Sequence, residues 1–251
     1  MKKEDIIEIL HDIEENEDVE IIYACEYGSR VWGFENDESG HDVKFIYKKP
    51  CVNDYLSIRT FPDTIEYECD DLDIIGWDIK RALMMHYDDD PILRECLISN
   101  EIYINRGIKN IFSNLGGFDI DFLKNHYSEI ALKDWKSYCS LQFSKSKSKK
   151  YLYVIRSILC WKLLNRDIYP PVNIDELLNH EYINLNGDIT SAVYDLIDYH
   201  QDYGEITEGI IFKLNNFILD SLSVMKKARC KSFKEFEEYD KRFRELLLLS
   251  R

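Results

Sequence analysis

The chain has 251 residues, with 32 Lys and Arg against 47 Asp and Glu, a formal net charge of −15. That length is enough for one large or two modest hydrophobic cores, and 45% apolar residues is the level of an ordinary globular protein. Ten Gly and five Pro exclude fibrous and low-complexity architectures, and the acidic total disfavours coating of nucleic acid by charge alone.

The first residues, MKKEDIIEILHDIEENEDVE, interrupt every apolar stretch with acids, so no signal-peptide core is expected. No window resembles a membrane span. Seven scattered cysteines form no CxxC pair, which predicts reduced, buried thiols in a cytoplasmic protein and no zinc site or disulfide framework.

In chain order, Ile6, Ile7, Ile9, Leu10 and Ile13 make one stripe of a helix over about 3–15. The β-branched run Val19–Cys25 predicts a buried strand, and the alternation Asp42–Tyr47 a second. Two more strands are expected at 65–69 and 72–75, with Gly76 ending the run and a helix starting near Trp77. Asp90-Pro91 is an N-cap followed by Pro in the first turn. Beyond residue 104 the period is helical, with candidates at 120–132, 133–143, 149–165, 189–200, 207–227 and 232–249. The expected fold is α+β: a small mixed sheet domain over 1–105, then a mainly helical domain over 106–251.

Three features bear on chemistry. The strand ending at Cys25 runs into Glu26-Tyr27-Gly28-Ser29-Arg30, a strand-to-turn junction whose amides and hydroxyl suit a triphosphate as well as they suit an ordinary turn. Asp42 opens the second strand 14 residues after Gly28, and Asp73 stands between apolar neighbours in Leu72-Asp73-Ile74. Acids within apolar strands are costly unless paired or metal-bound, and two on neighbouring strands are placed to share a divalent ion. Residues 135–166 carry eight Lys and Arg with no Asp or Glu, interleaved with Tyr151 and Tyr153. That composition suits phosphate contact or a solvated helix face. Trp32 suits base stacking or packing, and the aromatic spacing Phe233, Phe236, Tyr239, Phe243 suits docking of the last helix on its own core.

The segments ACEYGSRVWGF, SGHDVKFIY, YLSI at 55–58 and DLDIIGWDIKRAL at 71–83, followed by KKYLYVIRSILCWKLL at 149–164 and PPVNIDELL at 170–178, resemble predicted nucleotidyltransferases of the DNA-polymerase-β superfamily associated with RNA repair. The resemblance implies a small mixed sheet and transfer of a nucleoside monophosphate from an NTP to an acceptor hydroxyl, with RNA or an RNA-linked acceptor as partner. It implies triphosphate binding at Gly28, Ser29 and Arg30, and Mg²⁺ (or Mn²⁺) on Asp42 and Asp73. Lys149, Lys150 and Arg156, in the family's K-K-Y-x-Y-x-x-R stretch, would face phosphates.

This sequence departs from the family's D-x-D pair, because Gly40 stands where the first Asp belongs. The expected consequences are weakened transfer with nucleotide binding retained, and at least ~10-fold faster transfer in Gly40→Asp, worth about 1.4 kcal/mol. Asp37 or Glu38 would be the substitute ligands, and His41 would point away from Asp42. A member that binds nucleotide or RNA without chemistry, and a defence-related interaction protein, are the alternatives. The sequence specifies no oligomeric state.

Overall fold

The computed structural model describes residues 1–58, 60–69, 71–113, 115–139, 143–228 and 234–248, with only the backbone of Lys109 and Leu248. The chain divides into two compact units, one of 1–31, 40–118 and 232–251, the other of 32–39 and 119–231. The boundary expected at 105/106 therefore moves to 118/119. The last helix joins the sheet unit, and residues 32–39 join the helical one.

The sheet unit starts with α1 (Lys3–Glu17), which ends where Asp18 turns left-handed at φ 49°. The strands are β1 (Glu20–Tyr27), β2 (His41–Lys48), β3 (Thr64–Cys69), β4 (Leu72–Asp78) and β5 (Ile102–Asn105). They form one sheet in the order β3-β4-β2-β1-β5, with β2 and β4 parallel and the other pairs antiparallel. Between them lie the short helices α2 (Ser29–Trp32) and α3 (Val52–Tyr55). The helices α4 (Ile79–Tyr87), α5 (Pro91–Leu97) and α6 (Ile108–Phe112) follow β4 and β5.

The sheet is covered on both faces, which is why β1 reads as a continuous apolar run. On one face Ile6, Leu10 and Ile13 of α1 pack with Ile21, Ala24, Val43, Phe45 and Ile74. On the other, Tyr23, Cys25, Ile46 and Trp77 pack with Ile79, Leu83, Leu93, Ile108 and Tyr239. The edge strand β3 is mostly exposed and carries Glu66 and Glu68, charges that discourage edge pairing. Gly76 does not end β4. The strand continues to Asp78, and glycine stands within it because a β-carbon at residue 76 would overlap the Phe45 ring.

The helical unit holds α7 (Ile120–Asp134), a π-helix (Trp135–Cys139), α8 (Ser148–Leu164), α9 (Ile174–Leu178), α10 (Gly187–His200) and α11 (Glu208–Val224). Thirteen of the 17 residues of α8 are buried, so it is the central helix of this unit. The helix expected over 133–143 is the π-helix as far as Cys139, and 140–142 lie outside the described residues. Among the described residues no helix is long and apolar enough to cross a membrane. Six cysteines are free thiols, and Cys51 and Cys69 are exposed against the expectation of burial. Cys230 lies outside the described residues.

The last helix, α12 (Phe236–Leu248), docks on the sheet unit as its aromatic spacing predicts. Tyr239 Oη meets His86 Nδ1 at 2.7 Å in the core, and Phe243 packs edge-on against Tyr55. Just before the helix, Lys234 Nζ donates to the His86 carbonyl and to Asp89 Oδ1. Burial, helped by the Lys234 charge, lowers the His86 pKa to about 3 from the ordinary 6.5.

His86 therefore stays neutral in the folded chain while the unfolded chain protonates it below about pH 6.5. Its contribution to stability is complete above that pH and is lost as the pH falls toward 3, at up to about 1.4 kcal/mol per pH unit. In thermal unfolding from pH 7 to pH 5, His86→Gln should lose about 2 kcal/mol less than the natural chain. Equal losses in the two proteins would remove His86 from the acid response.

Candidate functional site

The site is built at the start of β2, and Glu26 sets it there. Glu26 is buried in β1 at 2% exposure, in a strand too apolar to hold a charge without partners. Its Oε1 accepts the Asp42 amide at 2.9 Å, and its Oε2 meets His41 Nδ1 at 2.9 Å and accepts the Tyr103 hydroxyl. Burial raises the Tyr103 phenol pKa, so it stays a donor. His41 is thus turned to the face opposite Asp42, as alternation requires.

With His41 held on one face, Asp42 projects from the other. It is the register partner of Asp73 in the parallel β2–β4 pair, so the two side chains stand side by side on one face. Gly28 closes the turn after β1 at φ 80°, in the region glycine favours, and a β-carbon there would overlap Asp42 Oδ2. The turn therefore packs directly against the first carboxylate. Gly28 and Ser29 are both buried, and Arg30 Nε donates to the Gly40 carbonyl at 2.9 Å.

Lys44, two residues beyond Asp42 on the same face, is a site residue that sequence reasoning missed. It is buried at 7% exposure, its Nζ lies 3.7 Å from Asp73 Oδ2, and it sits over the Tyr27 ring at 5.9 Å. A lysine inside an apolar strand carries the same signal as the acids beside it, since burial demands a partner. Asp78, expected as a helix cap, accepts the Lys80 amide at 2.8 Å at the start of α4.

Gly40 is not an open ligand position. A β-carbon there would lie 2.6 Å from the Asp71 carbonyl oxygen, and that same oxygen accepts the His41 amide. The main chain of the β3–β4 turn thus occupies the space an aspartate would need, which reverses the expectation that Gly40→Asp restores a ligand. Asp37 and Glu38 are exposed, at a turn in which Ser39 Oγ donates to Asn36 Oδ1. Among the described residues no group of three or more His, Cys, Asp or Glu is arranged to hold a metal ion.

The basic residues expected at phosphates belong to the helical unit. Lys149 and Lys150 are half-buried and rest over aromatic rings. Arg156 does not face outward: it is 5% exposed, its Nε donates to the Val172 carbonyl at 2.9 Å, and its guanidinium covers the Trp32 ring at 4.4 Å. A buried guanidinium satisfied by a carbonyl and an indole face packs its own unit, as Trp32 does.

Two substitutions test this construction. Gly40→Asp should cost about 1–3 kcal/mol of stability by crowding the Asp71 carbonyl, and Gly40→Ala a similar amount. Glu26→Ala should cost about 1–3 kcal/mol, because it takes the partner from a half-buried amide and a half-buried hydroxyl. A Gly40→Asp chain with unchanged unfolding temperature and tighter Mn²⁺ binding would show that the position is open.

The chain is similar to three known entities: one protein family, one relative and one solved structure. A model of the RNA repair pathway DNA polymerase beta family matches residues 2–247. The protein YcgL of Bacillus subtilis (strain 168), itself uncharacterised, is 35% identical over 184 residues, which cover 70% of this chain and 69% of YcgL. The crystal structure of a nucleotidyltransferase-like protein from Exiguobacterium sibiricum aligns with a TM-score of 0.34 at 11% identity, covering 97% of this chain and 87% of that one. The family match over nearly the whole length joins a mixed sheet with paired aspartates beside a Gly-Ser turn, and the chain belongs to the RNA repair pathway DNA polymerase beta family.

Proposed function

We propose that the chain transfers a nucleoside monophosphate from an NTP to an acceptor hydroxyl on RNA or an RNA-linked molecule, at the end of the sheet marked by Asp42 and Asp73. The observation that carries this reading is the register pairing of the two aspartates with the Gly28 turn packed against the first. Two carboxylates on one face fit one divalent ion that completes its shell with water and triphosphate oxygens. Bound there, Mg²⁺ or Mn²⁺ offsets phosphate charge and stabilises the pyrophosphate leaving group.

The remaining work falls to the chain's own groups. The amides of the 28–29 turn and the Ser29 hydroxyl, buried beside Asp42, are the groups this reading assigns to the β- and γ-phosphates. Arg30 fixes the approach to β2 through the Gly40 carbonyl. Lys44 places its Nζ 3.7 Å from Asp73 Oδ2, so a cation of the chain itself lies against the second carboxylate. Glu26 orients the Asp42 main chain.

A second reading, nucleotide binding without chemistry, is favoured by one observation. The Asp71 carbonyl lies where a residue-40 side chain would stand, so Asp42 and Asp73 would be the two carboxylates to hold a divalent ion here. Two measurements separate the readings. Mn²⁺ affinity, read by electron paramagnetic resonance, should be weak alone and rise at least ~10-fold with a non-hydrolysable NTP. Asp42→Asn and Asp73→Asn should each abolish that gain. Transfer of label from α-³²P-NTP to RNA, lost in the same variants, supports the enzyme. Nucleotide-dependent Mn²⁺ binding without transfer supports the second reading, and Mn²⁺ binding indifferent to both variants sinks the site.

A further inference from the structure

The helical unit carries a construction that the paired-aspartate site does not use. The π-helix Trp135–Cys139 continues α7 with a widened turn and presents Tyr138, which is 44% exposed. Lys150, in the first turn of α8, sits over the Tyr138 ring at 4.9 Å and over the Tyr153 ring at 4.9 Å. Lys149 sits over Tyr153 at 6.0 Å. Tyr153 is held by the edge-on Trp32 ring at 5.2 Å and by Phe34 at 5.8 Å, and Trp32 is clamped in turn by buried Arg156. The result is an alternation of cations and rings, braced by a packed aromatic cluster.

Among the other cations of the acid-free stretch, Lys145 pairs with Asp202 at 2.9 Å. Lys149 and Lys150 differ: among the described residues neither has a carboxylate partner, and both are half-buried on rings. A half-buried ammonium without a counter-ion gains from an anion, and a half-exposed tyrosine gains from a flat partner. A ligand that offers phosphates and unpaired bases in alternation satisfies both at once. A duplex hides its base faces, and polyphosphate or an acidic peptide has none.

We propose that Tyr138, Lys150 and Lys149, braced by Tyr153, form a binding platform for single-stranded RNA, with phosphates on the lysines and a base on the exposed Tyr138 ring. The acidity of the rest of the chain confines polyanion binding to this patch. The platform deepens the acceptor side of the proposed function and rests on that reading only for the choice of RNA.

The test uses the full chain in EDTA without nucleotide, so failure of the metal–NTP site leaves it unaffected. Fluorescence anisotropy of labelled oligo(U) should show binding at low salt, at least ~10-fold tighter than duplex RNA or inorganic polyphosphate. Tyr138→Leu, at an exposed position that preserves charge, should weaken oligo(U) by roughly 5- to 100-fold and leave polyphosphate binding unchanged. The pair Lys149→Gln and Lys150→Gln should flatten the salt dependence by about 0.7 per lost phosphate contact. Oligo(U) binding unchanged by Tyr138→Leu, or equalled by polyphosphate, would overturn the proposal in favour of a plain basic face. No oligo(U) binding by the natural chain would overturn it outright.

Discussion

The start of β2 runs so close to the β3–β4 turn that the chain has room there for a hydrogen and not for a side chain. The Asp71 carbonyl both accepts the His41 amide and lies 2.6 Å from where a residue-40 β-carbon would stand. That contact fixes where β2 enters the sheet, and parallel pairing with β4 then dictates that Asp42 meets Asp73. A slip of β2 by one residue would send Asp42 to the α1 face, away from Asp73, and bring His41 to the site. Glu26 guards the register from the other side by holding the His41 ring and the Asp42 amide. Glycine at residue 40 is therefore what the backbone contact with Asp71 requires.

Electrostatics follow from the same arrangement. Two carboxylates side by side in a largely buried sheet repel one another, and Lys44 relieves part of that repulsion by lying against Asp73. The strand end thus carries two carboxylates and one ammonium side by side. In the helical unit the balance is reversed: an acid-free stretch stores its positive charge on tyrosine faces, within a chain that is acidic overall.

Much of this was legible in the sequence, and the reasons for the rest are local. Strands β1 and β2 and helices α1, α8 and α12 announce themselves by strong periodicity, and Asp42 and Asp73 by being acids among apolar neighbours. β4 was cut short at Gly76 because glycine reads as a breaker, whereas here it makes room for the Phe45 ring from the neighbouring strand. Lys44 is a buried cation that obeys the same rule as the acids, but a single lysine in an alternating strand forms no motif that sets it apart. Gly40 was read as a missing ligand because sequence shows which side chain is lost and not which carbonyl fills its space. Arg156 sat in a basic run, and only tertiary packing against Trp32 and Val172 separates it from Lys149 and Lys150. The unit boundary was misplaced because chain order hides the return of α12 to the sheet unit.

The most direct test of the paired-aspartate site is a crystal soaked with Mn²⁺ and a non-hydrolysable NTP, examined by anomalous scattering. One manganese peak is expected against Asp42 and Asp73, at the 2.0–2.3 Å distances typical of oxygen ligands, with the triphosphate along the Gly28-Ser29 turn. A nucleotide bound elsewhere in the molecule, or a saturated crystal with no metal at the two aspartates, would contradict the assignment of this end of the sheet as the reaction centre.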